Sequence, residues 1–168
     1  MTLENWVKAN LVERLDSDAE EIGRLLQSAD DYLDDYRRAV GAKMSADAQL
    51  DMAYGAIRNY ATASLRAAGY RTLKGGGNQH YYTIESLRFS IDPENKLIPA
   101  LDKFRAKRNI GNYGDRGRVS QKEADSAGKL ALQVRELVIE WIRKNHPAKI
   151  KSQVPKPEET PTKATKKP

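Results

Sequence analysis

The chain has no cysteine, which excludes disulfides and thiolate metal sites and fits a reducing compartment. Long apolar runs are missing too. The longest stretch without Asp, Glu, Lys or Arg is the ten residues between Lys74 and Glu85, roughly half of what a membrane-spanning helix needs. The first fifteen residues carry Glu4, Lys8, Glu13 and Arg14 and lack the apolar centre of a signal peptide, so a cytoplasmic location is expected. Histidine is scarce. His80 and His146 stand far apart, without a histidine or carboxylate at ligand spacing, so neither a metal nor a cofactor is expected. Strand signals are nearly absent, and no internal repeat is visible.

What the chain does have is helical periodicity. Its 168 residues suit one domain with a tail; a chain of this size buries roughly 70% of its unfolded surface. Thr2 is placed to cap a first helix running to Leu15. Ser17 is placed to cap a second, in which Ile22, Leu25, Leu26, Ala29, Leu33, Tyr36 and Val40 recur at three- and four-residue steps up to Gly41. Asp30, Asp31, Asp34 and Asp35 read as a solvated face of that helix. A third helix is expected from Ser45 to Ala68, with Gly69 as its C-cap glycine. A fourth is expected from Gln79 to Phe89, and a fifth from Glu94 to Asn109. Ser120 and Glu123 form a capping box for a long last helix. The expected fold is therefore all-α, an antiparallel bundle of four to six helices over residues 1–146. Residues 147–168, rich in Lys, Pro and Thr, cannot offset the entropy of ordering and read as a disordered basic tail. That tail carries a net charge of +4 of the chain's +6, so the high isoelectric point says little about the folded part.

Chemistry concentrates at the end of the fifth helix. Leu97, Leu101, Phe104 and Arg108 fall on one face, so the arginine extends an apolar stripe toward the interior, where a charge needs a partner; the alternative is a side chain that snorkels out at the helix end. Asn109, Asn112, Tyr113, Asp115, Arg116 and Arg118 follow, interleaved with Gly111, Gly114 and Gly117. Seven basic residues between Lys103 and Lys122, Lys107 among them, face one acidic residue, Asp115. Such a patch suits a phosphate-bearing ligand. It is not a P-loop, because the lysine and Ser/Thr that should follow are missing. A solvated loop at a helix end is the competing reading.

Two stretches, AYGAIRNYATASLRAAGYRT (53–72) and LDKFRAKRNIGNY (101–113), give the chain a resemblance to the HEPN domains, small helical proteins of prokaryotic toxin–antitoxin and defence systems. The likeness spans about residues 45–145. That family's motif is an arginine, a polar residue, and a histidine four to six residues after the arginine. Carried over, it implies Arg108, Asn109 and, in the histidine's place, Tyr113 as catalytic groups, with Lys107, Asn112, Arg116 and Arg118 contacting nucleic acid. The resemblance also implies a homodimer, RNA or a nucleotide as ligand, and an antitoxin protein as a possible partner. Tyrosine ionises near pH 10 and histidine near 6.5, so Tyr113 would need a shift of about 4 kcal/mol to match histidine as a base. Three functions are therefore open: an RNA- or nucleotide-binding module with weak or no catalysis, a metal-independent ribonuclease toxin, and a non-catalytic bundle that pairs with a nucleotidyltransferase-type antitoxin.

Overall fold

A computed structural model describes residues 1–73, 77–111 and 117–150, with every side chain among them except those of 109–111. Asn112, Tyr113 and Arg116, and the tail beyond residue 150, lie outside the described residues. The fold is all-α, a bundle of helices. In chain order its elements are α1 (Leu3–Lys8), β1 (Val12–Arg14), α2 (Ala19–Gly41), α3 (Ala46–Ala67), β2 (Tyr70–Thr72), α4 (Gln79–Glu85), α5 (Ile98–Gly111) and α6 (Gln121–Asn145). Among the described residues no helix is long and apolar enough to cross a membrane.

The centre of the bundle is α3, with α2 packed along one side and α6 along another. Its composition explains the position. Leu50, Tyr54, Ile57 and Tyr60 are fully buried, and Ala53, Ala56, Ala61, Ala63 and Ala67 keep the remaining faces thin enough for neighbours to approach. A helix apolar on most sides belongs in an interior. Gly55 serves the same end. A Cβ there would lie 2.5 Å from the Tyr32 ring of α2, so only glycine lets that ring lie against the α3 backbone. Helices α2 and α6 are one-faced: Ile22, Leu26, Ala29 and Leu33 of the first, and Ala127, Val134, Val138 and Ile142 of the second, face the same core.

Three boundaries depart from expectation for local reasons. The first helix stops at Lys8 instead of reaching Leu15. Asn10 adopts φ 53°, and the Asn10 and Leu11 N–H groups donate to the carbonyls of Val7 and Trp6, closing a Schellman turn. Asparagine tolerates that left-handed geometry better than most residues. The released segment becomes β1 and pairs antiparallel with β2, in the register Val12↔Thr72, Glu13↔Arg71, Arg14↔Tyr70. Gly69, at φ 91°, ends α3 as expected and turns the chain into β2. This ribbon covers a small second cluster in which Trp6 packs edge-on against Phe89, with centroids 5.0 Å apart. At α2, Asp18 is the N-cap in place of Ser17, its Oδ1 accepting from the Glu21 N–H at 2.8 Å. Helix α5 starts at Ile98 and not near Glu94. Buried Asp92 holds its entry loop by accepting from the N–H groups of Lys96, Leu97 and Ile98 at 2.7–2.9 Å. The expected fourth helix is α4 continued by a 3-10 segment, Ser86–Phe89.

The capping box at the start of α6 is present, with Ser120 and Glu123 in reciprocal contact. After His146, which caps its end, Pro147–Lys149 forms a 3-10 turn. Lys149 pairs with Asp16 at 2.8 Å, and Ile150 packs against the core. The acidic face of α2 is also not uniformly solvated. Asp30 turns inward, accepts from the Tyr60 hydroxyl at 2.5 Å, and pairs with Arg135 of α6 at 2.7 Å.

Candidate functional site

Arg108 lies in the last turn of α5 and does not snorkel away. Its guanidinium pairs with Asp51 of α3 and sits over the Tyr54 ring, 5.5 Å from the centroid. Three quarters of the side chain is covered. The partner demanded by its place on an apolar stripe is thus supplied from α3, and an aromatic face adds cation–π attraction. Lys107, one position earlier, reaches toward α6. It pairs with Glu123 at 2.5 Å and donates to the Arg118 carbonyl at 3.2 Å. Those contacts fasten the end of α5 to the start of α6, and Lys107 and the Ser120 cap together hold the Glu123 carboxyl down at about 2. Arg118 is exposed. Asn109 belongs to α5, its side chain outside the description; Asn112, Tyr113 and Arg116 lie outside it altogether.

On the side of Arg108 toward α4, further cations gather. Arg58, one turn beyond Tyr54 on α3, contacts the His80 Nε2 at 3.1 Å. Arg105 stacks over the Tyr81 ring at 5.4 Å and pairs with Asp102 at 2.6 Å. Desolvation lowers the His80 pKa, and the positive charges of Arg58, Arg108 and Arg105 lower it further. His80 is therefore neutral at pH 7, and three guanidinium groups from two helices lie within electrostatic reach of one imidazole. Beneath them the Tyr54 hydroxyl is buried with no hydrogen-bond partner. Burial raises its pKa, while Arg105, Arg108 and Arg58 oppose the rise.

Charge balance distinguishes the two sides of Arg108. Toward α6, Lys107 and Arg108 border a cleft with Asp47 and Asp51, so cations and carboxylates there are equal in number. Toward α4, Arg105 and Arg108 have carboxylate partners, but Arg58 has none among the described residues. Its hydrogen-bond partner is a neutral histidine. On that side the cation without a carboxylate partner among the described residues is thus Arg58, one turn of α3 beyond the Tyr54 ring that Arg108 covers.

The residues missed by the sequence reading are Asp51, Tyr54, Arg58 and Tyr81, together with a role for His80. Asp51, Tyr54 and Arg58 recur at steps of three and four on α3, so their shared face was legible. Its relation to α5 was not. Among the described residues no group of three or more His, Asp or Glu is arranged to hold a metal ion. Such a surface can hold phosphate groups through guanidinium forks and stack a base on Tyr81. Comparison with protein-family models, with characterised proteins and with solved structures finds no match to this chain.

Proposed function

We propose that this chain is an RNA-binding helical module of the HEPN type, acting in a toxin–antitoxin or defence setting, with the backbone held on the face formed by Arg58, His80, Arg105 and Arg108. The observation that carries this reading is the gathering of Arg58 at 3.1 Å from His80, Arg105 over the Tyr81 ring and Arg108 over the Tyr54 ring. Phosphate is the ligand that such a cluster attracts most strongly, because each fork offers paired N–H donors and the field is additive. Tyr81, with Arg105 across its ring, offers a flat surface to an unpaired base.

The neutral state of His80 favours a second reading, a metal-independent ribonuclease. A neutral imidazole accepts a proton from a ribose 2′-hydroxyl whose oxygen bonds to the adjacent phosphorus as the P–O5′ bond breaks. Neighbouring guanidinium groups stabilise charge on the phosphate, and the leaving 5′-oxygen takes a proton from water. In this arrangement the base is His80 of α4, and Tyr113 has no need of a strongly lowered pKa.

The test is binding and cleavage of labelled single-stranded RNA in EDTA, with Arg108→Ala, His80→Gln and Tyr113→Phe beside the unaltered chain. The binding reading expects Arg108→Ala to weaken affinity about equally across sequences and to reduce the salt slope by about 0.7, because one phosphate fewer is neutralised. It expects no cleavage by any of the four. Cleavage abolished in His80→Gln would establish the ribonuclease. Affinity unchanged in Arg108→Ala and His80→Gln, without cleavage, would refute both and leave a protein-interaction bundle.

A further inference from the structure

A second opening lies behind Arg58, between α2, α3, α4 and β2. It is a cavity of about 420 Å³, within the range of small-molecule sites, roughly 300–1,000 Å³. It shares Arg58 and His80 with the basic face. Its other polar walls include Arg66 of α3, Arg71 of β2, Gln79 of α4 and Glu21 of α2.

Arg66 is the unusual member. It is 8% exposed, and one of its terminal nitrogens is engaged by Glu21. Its Nε–H is buried with no hydrogen-bond partner. Arg71 is held at the rim by its cross-strand partner Glu13 at 2.5 Å. Arg58 contributes the charge that no carboxylate among the described residues offsets. Three guanidinium groups thus border one opening that supplies a single carboxylate, Glu21.

We infer that this cavity binds a small phosphomonoester, its phosphate accepting from the guanidinium groups of Arg58 and Arg66 that line it. Phosphate fits better than a carboxylate. Its oxygens serve more than one guanidinium fork at once, whereas a carboxylate saturates one. Gln79 offers an amide donor and acceptor to the body of the ligand. The inference stands on Arg66 and the cavity, and does not depend on RNA being bound at Arg108.

The experiment is isothermal titration of the full chain with inorganic phosphate, ribose 5-phosphate and adenosine monophosphate, beside ribose, adenosine and succinate. Binding by the phosphate-bearing compounds alone is expected, and their order of affinity identifies the body that the cavity takes. Arg58→Gln is expected to weaken it roughly tenfold, the effect of losing one charged hydrogen bond. Arg66→Lys keeps the charge beside Glu21 and removes the guanidinium fork, and a similar loss is expected with an unchanged circular dichroism spectrum. Arg108→Gln should leave phosphomonoester binding intact while lowering RNA affinity, so the two readings fail separately. The inference is overturned if none of the phosphates binds, if adenosine or succinate binds as well as they do, or if affinity is indifferent to both Arg58 and Arg66.

Discussion

The network of Asp30, Tyr60 and Arg135 joins the three long helices, and its disruption gives the sharpest test of the packing. Asp30 is on α2, Tyr60 on α3 and Arg135 on α6. The Arg135 side chain is 5% exposed and that of Asp30 21%. Arg135 meets both Asp30 oxygens, at 2.7 and 3.3 Å, while the Tyr60 hydroxyl donates to one of them. Burial and the adjacent carboxylate push the Tyr60 pKa far up, so the phenol stays a donor at all ordinary pH. Removing one partner of a buried pair costs about 3–5 kcal/mol, because the other charge is left uncompensated. Asp30 keeps some water contact and Arg135 also meets Glu136 at 3.0 Å, which places Asp30→Asn near the low end, about 3 kcal/mol. Tyr60→Phe loses one hydrogen bond to a charged acceptor, about 1.5 kcal/mol. The double change Asp30→Leu with Arg135→Met, made together with Tyr60→Phe so that no hydroxyl is left unpaired, should recover most of the loss, since apolar groups replace a buried network at little net cost. Urea unfolding followed by circular dichroism measures this, provided the m-value is constant. In thermal melts a loss of 3 kcal/mol corresponds to a drop of roughly 6–12 °C for a domain of this size. A loss under about 1 kcal/mol for Asp30→Asn, or a combined variant as unstable as the summed single losses, would refute the assigned coupling.

Three further outcomes are expected. Asp92→Ala removes the acceptor of three backbone N–H groups at the entry to α5; about 2 kcal/mol of stability should be lost by urea titration, the upper end for a cap. Gly55→Ala brings a Cβ against the Tyr32 ring; overpacking of this kind costs about 1–3 kcal/mol, and Gly55→Ala with Tyr32→Leu should recover part of it in the same titration. His80 has a folded pKa below its unfolded value of about 6.5, so its contribution to stability is complete above that pH and is lost as pH falls through the window beneath it. RNA phosphate favours the protonated ring, so affinity should rise over the same fall in pH. Both trends should flatten in His80→Gln, read by chemical denaturation and by fluorescence anisotropy.

Local signals and long-range contacts divide the fold between them. The start of α6 was legible because Ser120 and Glu123 cap each other across three residues. Gly69 was legible because a helix end needs a residue that tolerates positive φ. The early end of α1 was not, since Asn10 is a weaker stop than glycine and β1 has only three residues. Its pairing with β2 bridges residues 58 apart, from Glu13 to Arg71. The candidate site divides in the same way. Sequence placed Arg108 on an apolar stripe and required a partner for it. That the partner is Asp51, 57 positions away, and that Arg58, Arg105 and His80 gather on the same side, follows from how α3, α4 and α5 are packed.

By itself, then, the sequence determined an all-α bundle, the faces that its long helices bury, and a cationic end to α5. These follow from periodicity and capping, which act within a few residues. Only the tertiary structure decided that Asp30 leaves a solvated face to join Arg135, that Arg66 is buried against Glu21 at the wall of a cavity, and that the uncompensated charge lies at Arg58. Ion pairing and desolvation depend on distance in space, and spacing along one helix carries no information about which charge a second helix will bring.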